Sequence, residues 1–226
     1  MNDLFSSAST VTDRRYIQVF AYFILGSMAQ ASTIWNGPTW NVSTAIPDND
    51  DVGITDTRMV SIADIAGIES VALVLNVTSG WNGDLYAYLV HGSGFSVLLN
   101  RPGRSVAAPD GSATVDMIIT FGDSAASDIH TAIPTSGGAV TGTYQPDGRI
   151  TDPYFALNTD ARPAMLSNFI GLNPNGTWTL FVADQSAGET STLQSWSMTI
   201  TGVPEPSAAL LGGLGVLLLL RRRRSA

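Results

Sequence analysis

Hydrophobic and polar positions alternate with a period of two over much of the middle of this chain. "VALVLNV" places Val71, Leu73, Leu75 and Val77 on one side. "DLYAYLV" sets Leu85, Ala87 and Leu89 against Tyr86, Tyr88 and Val90. "TWTLFVAD" aligns Trp178, Leu180 and Val182, and "LQSWSMTI" aligns Trp196, Met198 and Ile200. A two-residue repeat is the period of an extended strand with one face buried. Clusters rich in Gly, Asn, Asp and Pro separate these runs: "SGWNGD", "NRPGR", "QPDGR" and "NPNGT". Gly and Asn tolerate positive φ and Pro pre-sets φ, so each cluster predicts a turn. No long amphipathic helix appears, and "DARPAMLSNFIG" predicts one short turn at most. Strands without intervening helices predict an all-β antiparallel β-sandwich.

The two ends break this pattern. After Arg14 and Arg15, an apolar run from Tyr16 to about Met28 leads into Ala29-Gln30-Ala31. Basic pair, short apolar run and small residues are the layout of a secretory signal peptide. The expected signal is 1–31, with signal peptidase reading Ala29 and Ala31 and a mature chain starting at Ser32. The pair Arg14-Arg15 fits a twin-arginine signal poorly, which favours the general secretory route.

At the other end, Ser207 to Leu220 is an apolar run of 14 residues followed by Arg221, Arg222, Arg223 and Arg224. As a helix it spans about 21 Å, short of a hydrocarbon core of about 30 Å. The arginines can reach the headgroups and hold the tail on the cytoplasmic side. Pro204 and Pro206 keep Pro204-Glu205-Pro206 out of any helix.

Composition and charge narrow the partners. There is no cysteine among the 226 residues, which removes disulfides, thiolate metal sites and cysteine nucleophiles. There is no lysine either, and between Ser32 and Pro206 five arginines face seventeen acidic residues. Such a body is unsuited to nucleic acid or to anionic lipid. Only His91 and His130 could serve as a general base, and both are expected at the surface. "GDSAASDIH" copies fragments of esterase motifs around Ser124 and His130, but the six-residue spacing does not suit a triad. "DNDDVG" fails as an EF-hand loop, because Val52 and Met59 stand where oxygen ligands are needed. Ca²⁺ binding has another route. Asp84, Asp123 and Asp184 each stand at a strand end, and loops brought together could share one ion.

Two stretches resemble known families. "VPEPSA" (Val203, Pro204, Glu205, Pro206 and onward), the short apolar run and the terminal "RRRR" resemble the PEP-CTERM sorting signal of Gram-negative bacteria. That resemblance implies recognition by an integral-membrane exosortase, transient anchoring in the inner membrane, and delivery to the cell surface or an exopolysaccharide matrix. "AIPDNDDVGI", "VALVLNVTSGWNGDLYAYLV", "FGDSAASDI", "GTYQPDGRI" and "NPNGTWTLFVADQSAGETSTLQSWSMTI" in this order resemble the P domain (P/Homo B) of proprotein convertases. It implies a jelly-roll sandwich that packs beside a protease and does not itself cut peptides.

The expected organisation is a signal peptide at 1–31, an extension at 32–44, a P-domain-like sandwich at 45–201 and a sorting signal at 203–226. The expected function is an exported, non-catalytic surface or matrix protein using its sandwich for binding or structure. A carbohydrate-binding module is the alternative, with Trp35, Trp40, Trp81 and Tyr144 as ring platforms. A non-catalytic partner of a separate subtilisin-like serine protease is another.

Overall fold

The structure is a computed structural model that describes residues 32–205, together with 212, 213 and 215. It contains eleven strands: β1 (Thr33–Asn36), β2 (Trp40–Ala45), β3 (Asp50–Val60), β4 (Ile65–Trp81), β5 (Leu85–His91), β6 (Gly94–Asn100), β7 (Ala113–Phe121), β8 (Ser136–Gly137), β9 (Val140–Tyr144), β10 (Gly176–Asp184) and β11 (Thr192–Pro204). Within residues 32–205 the helical pieces are one turn each: α1 (Ile129–Ala132) and two 3-10 turns at Asn82–Asp84 and Leu166–Phe169. The expected all-β class holds.

The strands form two sheets. The larger runs β1-β11-β4-β7-β8, with β2 also on β11 and β9 also on β7. The smaller runs β3-β10-β5-β6. The chain alternates between them, from β2 to β3, from β4 to β5, from β6 back to β7 and from β10 to β11. This alternation stacks the two sheets as a β-sandwich.

One detail departs from an all-antiparallel sandwich. Strand β7 pairs β9 and β8 in parallel, Met117 opposite Val140 through Phe121 opposite Tyr144. Parallel neighbours need a long crossover, and the segment 122–139 carrying α1 supplies it.

The period-two reading of the core is correct. Leu73, Leu75 and Val77 of β4 are fully buried, as are Leu85, Ala87 and Leu89 of β5. Trp178 and Trp196 are buried to 1% exposure or less, so their indole N–H groups need partners inside the protein. Trp178 donates to the Pro174 carbonyl at 2.9 Å, and Trp196 to Asp56 Oδ2 at 2.6 Å. The two-residue loop joining β5 and β6 opens with Gly92 at φ 56°, a left-handed conformation that glycine adopts without strain.

Both expected edges of the sandwich shift. The segment 32–44 is part of the fold: β1 and β2 pair antiparallel with β11. At the far end β11 continues past residue 201, with Val203 opposite Gly67 and Pro204 opposite Ile65. The register slips at Thr201/Gly202 and again at Val203/Pro204. Gly202 makes this possible, because a Cβ there would collide with the Gly67 carbonyl oxygen and Ile65 Cγ2. Gly202→Ala should therefore lower the urea midpoint by the equivalent of about 1–3 kcal/mol, the usual cost of overpacking. An unchanged midpoint would mean that this end of β11 is not held as described.

The expected signal at 1–31 lies outside the described residues. So does the apolar run 207–220, apart from 212, 213 and 215. Among the described residues no helix is long and apolar enough to cross a membrane.

Candidate functional site

The smaller sheet ends in a pair of buried acids. Asp184 is the last residue of β10 and keeps the inward parity of Trp178, Leu180 and Val182. Asp84 closes the 3-10 turn that leads into β5, and the Gln185 amide donates to its carbonyl at 2.8 Å. Asp84 is 2% exposed and Asp184 is completely buried. Arg101, itself buried, donates to Asp84 Oδ1 at 3.2 Å and to the Gly83 and Asp110 carbonyls. Asp184 Oδ1 accepts from the Ser186 amide at 3.1 Å. The Oδ2 atoms of both acids are buried without a hydrogen-bond partner, and so is Oδ1 of Asn82 on the same 3-10 turn.

Burial dominates the acidity of both groups. It pushes the Asp84 carboxyl up from 3.8 to about 7 against the pull of Arg101, with Asp184 and Asp110 adding to the rise. Burial also raises Asp184; the Ser186 amide, and less strongly the nearby Asn49 amide and Arg101, oppose it, and Asp48 reinforces it. Asp84 opens onto a cleft of about 290 Å³ whose walls include Trp81, Asp110, Ser112 and Ser186.

Of the three expected calcium ligands, Asp84 and Asp184 come together and Asp123 does not. Asp123 accepts from the Leu166 amide at 3.1 Å and the Ser167 amide at 2.6 Å, so it caps the second 3-10 turn. Its carboxylate is occupied by orphan amides of a helix start, a common use of Asp. Among the described residues no three acidic or histidine side chains close on one point.

The histidines overturn the expectation of surface positions. His91 is 5% exposed and stacks flat on Trp178, with ring centroids 4.1 Å apart. Its nitrogens lie 2.9 Å and 2.7 Å from the carbonyls of Thr177 and Asn173. His130 is 1% exposed. Its Nδ1 is 2.7 Å from Asp147 Oδ2 and its Nε2 is 2.8 Å from the Arg104 carbonyl. Neither ring faces a hydroxyl, Ser124 included.

Asp147 organises a buried network that sequence reading took for a simple turn in "QPDGRI". Its Oδ2 accepts from His130 and from the Asn100 amide. Its Oδ1 accepts from the amide and guanidinium of Arg149. Arg149 also pairs with Asp128 at 2.8 Å, and Arg162 donates to the Asp147, Pro146 and Gln145 oxygens. Each of the five arginines of the body donates to internal acceptors, Arg58 to Asp56 and Arg104 to the Ala156 carbonyl among them. The unspent charge of the described surface is therefore acidic.

The aromatic residues expected as sugar platforms are placed otherwise. Trp35, Trp40 and Tyr144 pack against the core, and only Trp81, on the cleft rim, is exposed. Sequence reading missed a different aromatic group on the outer face of the smaller sheet. There Tyr86, Tyr88 and Phe181 floor a groove of about 370 Å³ rimmed by Asp51, Asp152 and Tyr154. Tyr88 and Phe181 stack on each other at 4.6 Å and 15°, so each spends a face on its neighbour.

Of the sorting motif, Val203, Pro204 and Glu205 are described and follow the sheet, Glu205 donating its amide to the Asp64 carbonyl at 3.4 Å. Pro206 and Arg221 to Arg224 lie outside the described residues, as do Ala29 and Ala31.

Comparison with known proteins bears on the second half of the sandwich. Residues 140–200 match the proprotein convertase P-domain. The matched segment holds β9, the Asp147–Arg149 network, β10 and most of β11. No curated protein matches the chain. Among solved structures, the serine protease of Aeromonas sobria in complex with the chaperone aligns at 16% identity and a TM-score of 0.45. That alignment covers 83% of this chain and 29% of the protease. The same protease solved alone gives 13% identity and a TM-score of 0.43, covering 82% and 30%. This chain thus spans less than a third of the length of those proteins.

Proposed function

We propose that this chain is an exported, exosortase-sorted protein of a Gram-negative cell surface or extracellular matrix, whose P-domain-like sandwich is a non-catalytic binding or structural module. The observation that carries the non-catalytic part is the state of the two histidines. Every ring nitrogen is engaged by a carbonyl or carboxylate oxygen, so neither imidazole is directed at a nucleophile. The export part rests on the sequence of the two ends: Arg14-Arg15 with Ala29 and Ala31, and Val203 to Pro206 with Arg221 to Arg224. The P-domain match supports a second reading, in which the sandwich docks on a separate subtilisin-like protease.

Mass spectrometry of the protein recovered from the native host tests the export reading. The expected product starts at Ser32, cut by signal peptidase, and ends close to Pro206, cut by exosortase at the inner membrane. Intact 226-residue chain in the cytosol would overturn it. Exopolysaccharide or a protease recovered with the processed product would separate the binding alternatives.

A further inference from the structure

The buried acids at the end of the smaller sheet are not accounted for by export or by docking. An unpaired oxygen on a buried carboxylate is costly, because desolvation is not offset by a donor. Here two such oxygens, Asp84 Oδ2 and Asp184 Oδ2, lie on adjoining strand ends. A third, Asn82 Oδ1, belongs to the same 3-10 turn as Asp84, and its residue is fully buried. Arg101 engages only Oδ1 of Asp84. Asp184 and Asp110 act on the charge of Asp84, and Asp48 on that of Asp184, against that one guanidinium. The cleft above Asp84 gives water and ions access.

We propose that the mouth of the sandwich binds a hard divalent cation, held by Asp84 Oδ2 and Asp184 Oδ2 with cleft water completing its shell. Orphaned oxygens are the donors such an ion prefers, and its charge offsets the acidic excess that Arg101 leaves. Histidine and sulfur donors are absent from the cleft lining, which argues for a calcium- or magnesium-like ion over a transition metal. Two carboxylates are few, so affinity belongs at the weak end of the range, with Kd about 10⁻⁴ to 10⁻³ M. The site differs from the three-aspartate arrangement expected from sequence, since Asp123 takes no part. It does not depend on the export reading.

Trp81 in the cleft wall supplies the probe, because excited indole transfers energy to a bound terbium ion nearby. The full chain, stripped with chelator at pH 7.5, is titrated with Tb³⁺ and then with Ca²⁺ or Mg²⁺ at constant ionic strength. Saturable sensitised emission, displaced by millimolar Ca²⁺ or Mg²⁺, is expected, with a melting temperature several degrees higher in the displacing ion. Asp184→Asn should weaken binding at least about tenfold, since ligand charge count sets affinity, and Asp123→Asn should leave it unchanged. Circular dichroism identifies a variant that fails to fold. Absence of saturable emission in the unsubstituted protein overturns the proposal. So does a melting temperature that responds equally to KCl, or a folded Asp184→Asn that binds as before.

Discussion

Replacing Asp147 by alanine is expected to remove about 3–5 kcal/mol of folding stability, the range for breaking a buried ion pair. The side chain is fully buried and each carboxylate oxygen accepts two hydrogen bonds. Its loss leaves His130 Nδ1 and the Asn100 amide without acceptors, and Arg149 with Asp128 as its remaining carboxylate. The same hub ties the end of β6 to α1 and to the loop after β9, so the damage should extend to the covering loops. Asp147→Asn keeps the shape and some acceptors, and should lose less. Urea unfolding of both variants against the unsubstituted chain measures the difference. A shift below about 1 kcal/mol for the alanine variant would mean that water replaces the hub without penalty.

A second large effect should appear as pH dependence. With chelator present, Asp84 is expected to contribute more to stability near pH 4 than near pH 7.5. The folded Asp84 carboxyl titrates at about 7 and the unfolded one at 3.8. Between those values the folded chain holds a proton that the unfolded chain has released, so stability falls as pH rises through the window. At about 1.36 kcal/mol per pH unit, the whole interval amounts to about 4 kcal/mol. Asp184, also raised, contributes in the same direction. Below pH 3.8 the contribution is complete, and above 7 it is gone. Urea midpoints at pH 4.5 and 7.5 would show the slope, and Asp84→Asn should flatten it. A pH slope that is the same in Asp84→Asn as in the unsubstituted chain would show that Asp84 is not desolvated as the structure has it.

The strands and the core were legible because burial on one face writes a period of two into the sequence. Trp178, Leu180 and Val182 need only local alternation to be read. What stayed hidden depends on partners far away along the chain. Strand β1 is four residues long and gains its identity from β11, with Ile34 opposite Thr201. The parallel seat of β9 beside β7 leaves no mark in "VTGTY". His91 and His130 read as loop residues because their acceptors, Thr177 and Asp147, are supplied by other segments. Asp123 looked like Asp84, a strand-end acid beside small residues, but the start of a 3-10 turn more than forty residues on occupies it. Asp84 and Asp184 were legible as candidates, and only the sheet register brings them side by side.

The course of β11 has a mechanical consequence. It is an interior strand, clasped by β1 and β2 on one side and β4 on the other, and it runs to Pro204 without an intervening linker. Tension applied at this end of the chain enters the middle of the larger sheet and loads the β11–β4 ladder along its length. The two register slips after Thr201 are the weakest rungs, so under load the last few residues should peel first and the rest should hold in shear.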